Sequence, residues 1–394
     1  MDTNRCRIAV ITSTRADWGL LKDIVGTLRE SDKADVSLIA TNMHLNPEFG
    51  MTVDEIIADG FKVDARVPMN PAGNTPEDTA HATAECLHGM ASAFGRLQPD
   101  MVVILGDRYE MLAVATAATI MRIPIVHIAG GEISEGAIDD SIRHALTKLS
   151  SLHLTATEPY RQRVISMGED PRRVINTGAI GVYNIVHEKP MPLQELEQSV
   201  GIAINDRTLL VTLHPATLDS VPADERAASM LRALDSFPDS NIIFTYPNND
   251  PEGTKIIRAI SSYAEANPHR SVVVPSLGRR RYLSALHYVG AVVGNSSSGI
   301  VEVPSMHIPT VNIGIRQQGR LTSDSVIHCD ADAASIRAAI TFALSPAGRK
   351  KAHEATNPYY SPDTLRIITD AILSADPHML RSKRFIDHNF TFQP

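Results

Sequence analysis

The sequence predicts an α/β fold made of two domains, each built on a doubly wound parallel sheet. Short apolar runs rich in β-branched residues alternate with helical stretches along the chain, which is the pattern of repeated βα units. The chain has 394 residues, more than one hydrophobic core usually supports. Two βα series of similar size therefore predict two domains that face a cleft.

The first βα series begins near the start of the chain. Its strands are predicted at Arg7–Ile11, Val36–Ala40, Phe61–Ala65, Val102–Leu105, Ile123–Ile128 and Leu152–Thr155. An amphipathic helix follows the first strand to about Glu30, and Glu77–Leu97 also has helical spacing. A further helix is predicted to open near Gly136. The segment Thr177–Gly181 is expected to end this domain.

The second βα series follows a linker-like patch that contains Pro190 and Pro192. Its strands are predicted at Leu209–Leu213, Ile242–Thr245, Val272–Val274, Ala291–Val293 and Thr310–Ile313. Helices are predicted at Ala223–Ser236, Ala331–Leu344 and Thr364–Ala375. Strands that alternate with helices in this way predict a second parallel sheet.

Composition and charge exclude several classes of protein. The net charge of -8 gives no basic excess to displace counterions from nucleic acid, so we expect no nucleic-acid partner. The longest apolar tract, Met111–Ile128, is broken by Arg122 and Pro124, so we expect no membrane partner. The three cysteines lack paired spacing, and no signal peptide is visible, so we expect a cytoplasmic protein.

One stretch, Met101–Ser150, gathers charged residues at predicted strand ends. The first apolar run ends in Gly106-Asp107-Arg108, and the second ends in Ala129-Gly130-Gly131-Glu132. The helix that follows carries Asp139, Asp140, Arg143 and His144. Because the carboxyl ends of parallel strands form the ligand crevice, these groups are expected to meet at one edge of the sheet.

Simpler explanations exist for parts of this acidic edge. Asp139 and Arg143 stand four residues apart, as do Asp140 and His144, so each pair could be an exposed helix pair of little energetic value. A metal site is the other alternative. No H-E-x-x-H or comparable ligand spacing occurs, so we expect no metal and no cofactor.

A second group of residues has the character of an anion site. The loop Gly294–Gly299 is rich in serine, includes Ser296 and Ser297, and precedes a predicted helix, where backbone amides can hold a phosphate. Glu302 could bind ribose hydroxyls. His214 and Arg316 each follow a predicted strand end, and Arg15 follows the first strand. The alternatives are a plain N-cap, a packed histidine and a surface arginine.

With these residues in place, the chain resembles the hydrolysing UDP-N-acetylglucosamine 2-epimerases of sialic-acid and legionaminic-acid biosynthesis. The segments that carry the resemblance cover nearly the whole chain in the expected order. They are Thr14-Arg15-Ala16-Asp17, Gly106-Asp107-Arg108, His127–Glu132, Ile138–His144, Gly294–Ser297 and Arg316-Gln317.

The resemblance implies two Rossmann-like domains in the GT-B arrangement. It implies an N-terminal domain over residues 1–180, joined by the C-terminal segment 365–394, and a nucleotide-binding domain over residues 181–364. It also implies a UDP-sugar as the small-molecule partner and a homo-oligomer, either a dimer or a tetramer.

The resemblance further implies a role for each candidate residue. Asp107 and Asp139 match the catalytic acids of the family, and Glu132 is the third candidate. UDP would be held mainly by the second domain, and arginines of the first domain would reach the phosphates. The expected substrate contacts are Arg15, Arg108, Arg143, His214, Asn248, Ser296, Ser297, Glu302 and Arg316.

The chain departs from the family pattern at one position. Many relatives carry a catalytic Glu two residues after the histidine, where this chain has Ala129, and Glu132 is the nearest substitute in sequence. A modified sugar nucleotide, UDP-N,N'-diacetylbacillosamine or a GDP-sugar, is therefore an alternative substrate. A GT-B glycosyltransferase, a non-hydrolysing 2-epimerase and a binding protein without catalysis are further alternatives.

The reaction implied by the resemblance is an elimination followed by a hydration. The C2 hydrogen of the sugar has no neighbouring carbonyl, so its removal must be coupled to departure of UDP from C1. Water then adds at C1 of the 2-acetamidoglucal, and an acid protonates C2 from the opposite face. Inversion therefore requires acid and base groups on two faces of the ring, which several separated carboxylates can provide.

Overall fold

The structure, a computed structural model, describes residues 5–47, 50–69, 75–133, 138–215, 222–247 and 252–387. It divides into two compact units. Unit 1 comprises Met1–Glu132, Ile138–Ile180 and Ser361–Pro394, and unit 2 comprises Ile133–Ala137 and Gly181–Tyr360. Each unit is described by itself below.

Each unit is built on one parallel sheet. Among the described residues, the strand order is β3-β2-β1-β4-β5-β6-β7 in unit 1 and β10-β9-β8-β11-β12-β13 in unit 2. The strands are β1 Cys6–Thr12, β2 Ala34–Thr41, β3 Ala65–Val67, β4 Met101–Leu105, β5 Ile125–Ile128, β6 Leu152–Thr155, β7 Val174–Asn176, β8 Leu209–Thr212, β9 Ile242–Thr245, β10 Ser271–Val274, β11 Ala291–Gly294, β12 Thr310–Ile313 and β13 Val326–Cys329. The predicted α/β class with two parallel sheets is confirmed.

Helices connect the strands of both sheets. They are α1 Arg15–Glu30, α2 Val53–Ala58, α3 Pro76–Leu97, α4 Tyr109–Ile120, α5 Ile138–Leu149, α6 Glu158–Ser166, α7 Ile180–His187, α8 Leu193–Val200, α9 Ala223–Leu234, α10 Gly253–Ala266, α11 Gly278–Ala285, α12 Ser298–Val301, α13 Ala333–Leu344, α14 Pro346–Glu354, α15 Thr364–Ser374 and α16 Pro377–Arg381. None of the described helices is long and apolar enough to cross a bilayer.

Local sequence explains where these elements form. Central strands such as β4, whose five residues are all buried, are continuous apolar runs because helices cover both faces of a parallel sheet. Helix α1 begins with a capping box, in which Thr14 and Asp17 each satisfy a backbone amide of the other. Helix α3 begins in the same way with Thr75 and Asp78. These caps place polar side chains directly after strand ends.

The structure differs from the sequence predictions at several elements, including helices α10 and α14, which were not predicted. The third strand is Ala65–Val67 and not Phe61–Ala65. The prolines of the predicted linker are followed directly by helix α8, which begins after Pro192. Strand β7 has three residues and strand β13 has four, too few for the apolar pattern to stand out from its surroundings.

The C-terminal segment of unit 1 is fixed by a buried carboxylate. Glu169 is 3% exposed and lies 2.6 Å from Nζ of Lys148, 2.8 Å from Nζ of Lys383 and 3.1 Å from Nε2 of His153. Lys383 also donates to backbone carbonyls at the end of helix α5. Burial alone would raise the pKa of Glu169, but these hydrogen bonds lower it to about 2. The carboxylate thus joins the C-terminal segment to α5 and β6.

We expect Glu169 to contribute to the pH dependence of stability. Its pKa falls from 4.5 in the unfolded chain to about 2 in the folded one, so its contribution is complete above pH 4.5 and is lost as the pH falls through 2. The linked free energy is about 3 kcal/mol. Urea unfolding of the wild type should therefore show a steeper loss of stability between pH 5 and pH 3 than unfolding of Glu169→Gln.

The matched control is Glu354→Gln, which removes an exposed carboxylate from helix α14. It should leave the slope of stability against pH unchanged. Equal slopes for Glu169→Gln and the wild type would contradict the assigned role of this carboxylate.

Candidate functional site

The strand order reverses at one point in each sheet, between β1 and β4 in unit 1 and between β8 and β11 in unit 2. Helices leave in opposite directions at such a point, which opens a crevice at the carboxyl ends of the strands. Asp107 and Arg108 follow β4, and Thr14 to Asp17 follow β1. His214 follows β8, and Asn295 to Ser297 follow β11. The two crevices therefore carry most of the predicted site residues.

In unit 1, a glycine turn presents Asp107 at the end of strand β4. Gly106 has φ of +80°, which residues with side chains rarely adopt, and its amide donates to the carbonyl of Ile128 at 3.0 Å. Its carbonyl lies 2.7 Å from Nε2 of the buried His127. The amide and the carbonyl of Gly106 are thus both hydrogen-bonded to strand β5. The position of Asp107 follows from these bonds.

Asp107 forms an ion pair with helix α5. Nη2 of Arg143 donates to Oδ2 of Asp107, and the side chains are 4% and 22% exposed. The sequence analysis left open that Arg143 and Asp139 form an exposed pair within the helix. Arg143 is instead buried and bonded to Asp107 at the end of β4, so it is not part of an exposed helix pair.

Asp139 belongs to the same electrostatic cluster. Burial raises the pKa of its carboxyl, and the negative charge of Asp107 raises it further, while Arg108 and Arg143 oppose the shift. Two carboxylates and two guanidiniums therefore influence one another at this edge. Two carboxyls in environments that differ in this way are an arrangement suited to paired acid and base chemistry.

Arg108 is held in place from within unit 1. Its Nε donates to Oε1 of the fully buried Glu110 at 2.6 Å. The charges of this pair also act on Asp17. Burial raises the pKa of Asp17, the charge of Glu110 raises it further, and Arg108 lowers it. Ser13 donates to Asp17 at 2.6 Å. The first strand end and the fourth therefore meet around one guanidinium.

Unit 1 also contains the other residues that the sequence analysis named, each in surroundings of its own. Arg15 is about half exposed, and its Nη1 lies 3.5 Å from Glu55 of helix α2. Asp140 and His144 form the predicted helix pair, with Nε2 and Oδ2 3.5 Å apart. Glu132 is half-buried beyond the end of β5.

Ala129, at the position where many relatives carry a carboxylate, has a left-handed backbone with φ of +65°. Its amide donates to Leu154 of strand β6 at 2.9 Å. The neighbouring strand thus fixes the backbone at this position.

In unit 2, Asn295 joins the loops that follow three strands. Its side chain accepts from the amide of His214 at 2.6 Å and donates to the carbonyl of the same residue at 2.9 Å. Its backbone carbonyl accepts from Nη1 of Arg316 at 3.1 Å and from Gln317 at 2.9 Å. His214 and Arg316, both predicted site residues, are therefore connected through the buried Asn295.

Burial lowers the pKa of His214 to about 3, and the charge of Arg316 contributes. The imidazole is therefore neutral near pH 7 and able to donate or accept a hydrogen bond. The crevice of unit 2 therefore places a neutral imidazole beside the cationic Arg316.

The serine loop continues into a short helix with a hydroxyl network. Ser297 is the N-cap residue of α12, and among the described residues its side chain makes no capping bond, whereas Oγ of Ser296 accepts from the amide of Ser298 at 3.4 Å. Ser298 donates to Glu302, and its Oγ lies 2.6 Å from the hydroxyl of Tyr282. Burial raises the pKa of Glu302. The loop thus presents hydroxyls and a carboxyl together.

Sequence reasoning missed several residues that organise these crevices. The clamp of Asn295 and Gln317, the buried partner Glu110 of Arg108, and Tyr282 were not singled out. Asn295 lies within the serine loop, so its presence in that loop was the available signal. Asn248, a predicted substrate contact, lies outside the described residues. Within those residues, no group of three or more His, Cys, Asp or Glu side chains is arranged to hold a metal ion.

Comparison with known proteins gives the family. Residues 26–373 match the family described as UDP-N-acetylglucosamine 2-epimerase. The chain is 37% identical over 324 residues to the GDP/UDP-N,N'-diacetylbacillosamine 2-epimerase (hydrolyzing) of Campylobacter jejuni, covering 82% of this chain and 84% of that protein. It is 33% identical over 373 residues to the polysialic acid biosynthesis protein P7 of Escherichia coli, covering 93% and 95%.

The fold is also found among solved structures. The UDP-GlcNAc 2-epimerase from Neisseria meningitidis, solved with UDP-GlcNAc bound, has a TM-score of 0.80 to this chain at 16% identity. The match covers 94% of this chain and all of that one. A family match over most of the chain, together with relatives above 30% identity, shows that the chain belongs to the UDP-N-acetylglucosamine 2-epimerase family.

Proposed function

We propose that this chain is a hydrolysing 2-epimerase that converts UDP-N-acetylglucosamine, or a modified UDP-N-acetylhexosamine, to the free 2-epimer and UDP. For UDP-N-acetylglucosamine the free product is N-acetylmannosamine, a precursor for nonulosonic acids. The hydrolysing type is supported by the two relatives above, one of which is named as hydrolysing and the other as a polysialic acid biosynthesis protein.

One observation carries the proposal: Asp107 and Asp139 are two interacting carboxyls in different environments. Asp107 accepts from Arg143, and Asp139 has a raised pKa from burial and from the charge of Asp107. We assign the base to Asp107 and the acid to Asp139, because a raised pKa favours the form that donates a proton. Glu132 is the third candidate, placed nearest to the position of Ala129.

The nucleotide is assigned to unit 2. His214, Arg316 and the loop with Ser296 and Ser297 offer a neutral imidazole, a cation and hydroxyls, which suit a pyrophosphate. Glu302 offers a carboxyl for ribose hydroxyls, and Asn248 remains a predicted contact. Arg108, Arg143 and Arg15 of unit 1 are the further cations proposed for the substrate.

The proposed reaction has two steps, an elimination and a hydration. Asp107 takes the C2 proton while the C1–oxygen bond breaks and UDP leaves with the electron pair, giving a 2-acetamidoglucal. Arginines stabilise the charge that develops on the pyrophosphate. Water then forms the new C1–oxygen bond and loses its extra proton to solvent, while Asp139 delivers a proton to C2 from the opposite face. The free sugar is therefore inverted at C2. Asp107 gives up the proton taken from C2 and Asp139 regains one, both by exchange with solvent.

A second substrate is supported by the relative from Campylobacter jejuni, whose name specifies a GDP- or UDP-linked diacetylbacillosamine. The sugar of such a substrate differs from N-acetylglucosamine at C4 and C6. The chemistry proposed at C1 and C2 is unaffected by that difference. We propose the same residues and the same steps for either sugar nucleotide.

The location and assembly of the enzyme stay predictions. The three cysteines are unpaired, as in proteins of reducing compartments, and we propose that the enzyme acts in the cytoplasm. We propose a homo-oligomer, either a dimer or a tetramer.

Incubation in D2O with UDP-N-acetylglucosamine, UDP-N,N'-diacetylbacillosamine and a GDP-sugar, followed by NMR, tests the proposal. We expect free UDP or GDP in equal amount to a free 2-epimer that carries deuterium at C2, because the C2 proton comes from solvent. Epimerised sugar that remains attached to the nucleotide would show a non-hydrolysing enzyme. Nucleotide release that needs an added acceptor would show a glycosyltransferase, and binding without any product would show a binding protein.

A pair of variants separates chemistry from nucleotide binding. Asp107→Asn should lower kcat by about 10²-fold or more, because the C2 base is lost, and should leave UDP affinity within about 2-fold of the wild type. Arg316→Ala should weaken UDP binding by about 10-fold or more, because a charged hydrogen-bond donor is lost. Turnover is measured by NMR and affinity by calorimetry. Full activity of Asp107→Asn would show that the assigned chemistry is wrong.

A further inference from the structure

His127 is a fully buried histidine that the chemistry above does not use. It lies on strand β5 in register with Ile104 of β4 on one side and His153 of β6 on the other. Its Nε2 lies 2.7 Å from the carbonyl of Gly106, two residues beyond its register partner on β4. The side chain therefore reaches along the sheet to the turn that presents Asp107.

The contact defines which nitrogen carries the proton. A carbonyl oxygen only accepts hydrogen bonds, so Nε2 of His127 must be the protonated nitrogen and the donor. Burial, together with the nearby positive charges of Arg143 and Lys383, lowers the pKa of His127 to about 3, so the ring is neutral. A neutral ring with a fixed tautomer makes a permanent donor for Gly106.

This bond complements the backbone bond on the other side of the same residue. The amide of Gly106 donates to Ile128 at 3.0 Å, and its carbonyl accepts from His127. Gly106 adopts φ of +80°. A glycine without such hydrogen bonds can adopt many other backbone conformations. Both polar groups of the turn are therefore tied to β5, directly before the residue that meets Arg143.

The surroundings of the ring leave little freedom for it to move. A Cβ added at Gly130 would lie 3.0 Å from Nδ1 of His127 and 3.4 Å from Oγ1 of Thr147 in helix α5. The Thr147 hydroxyl in turn donates to the carbonyl of Arg143 at 3.0 Å. Gly130 thus allows β5 and α5 to approach closely around His127, near the helix turn that carries Arg143.

We propose that His127 is a positioning residue for Asp107. It fixes the Gly106 turn so that the Asp107 carboxylate is held against Arg143 in the orientation needed to take the sugar C2 proton. This inference rests on the function proposed above. His127 does not touch the sugar itself.

The test compares His127→Leu with His127→Gln in the full-length protein. Leucine removes the donor, and we expect kcat to fall by about 10²-fold, the loss typical of a misplaced reacting group. KM and UDP affinity should stay within about 2-fold of the wild type, because only orientation for the reaction changes. Glutamine keeps an N–H donor of similar reach, and we expect it to restore kcat to within about 10-fold of the wild type.

His153→Gln is the matched control. His153 is equally buried in the next strand, but its Nε2 lies 3.1 Å from Glu169 and not at the Asp107 turn, so the variant changes a buried histidine without changing a contact of that turn. We expect this variant to lose stability and to keep kcat. Gly130→Ala is a second probe, because its new methyl group displaces the His127 ring without removing the donor. It should lower kcat less than His127→Leu does.

Amide hydrogen exchange by mass spectrometry separates this inference from the proposed function. Exchange of the peptide that contains residues 106–108 should rise by about 10-fold or more in His127→Leu and should stay at the wild-type rate in His153→Gln. This result together with an inactive wild type would support the positioning role and overturn the proposed function. Unchanged exchange, or an unchanged kcat of His127→Leu in an active enzyme, would overturn the positioning role.

Discussion

The ion pair between Arg143 and Asp107 joins two parts of unit 1 that lie 36 residues apart in sequence. Arg143 is almost fully buried, so its charge needs a partner, and Asp107 supplies it at the end of strand β4. The pair fixes helix α5 against the sheet and places Asp139 within reach of the charge of Asp107. The contact thus gives Asp107 a cationic partner, whereas burial and the charge of Asp107 raise the pKa of Asp139.

Unit 2 differs from unit 1 because it places an uncharged histidine beside an arginine. Asn295 holds His214 and Arg316 through its side-chain amide and its backbone carbonyl, and burial keeps His214 uncharged. Serine hydroxyls then complete a surface that suits a polyanion. Unit 1 therefore concentrates groups that transfer protons, whereas unit 2 concentrates groups that donate hydrogen bonds.

The sequence was sufficient for the fold class, because buried parallel strands are continuous apolar runs and their ends bear glycine and polar residues. It also located Asp107, His214 and Arg316 at strand ends and Asp139 on the helix that follows β5. It left the partner of Arg143 open, because spacing within a helix says nothing about contacts with another strand. The clamp of Asn295 depends on loops brought together by strand order, so the serine loop pointed to the residue but not to its partners His214 and Arg316.

The central claim is that Asp107 and Asp139 act in sequence on the C2 proton. The most direct measurement is the product released by Asp139→Asn from the preferred sugar nucleotide, identified by NMR. If Asp107 is the base and Asp139 the later acid, this variant should still release the nucleotide but should accumulate the 2-acetamidoglucal, since elimination remains possible and reprotonation does not. Formation of the free 2-epimer at the wild-type rate would contradict the assignment.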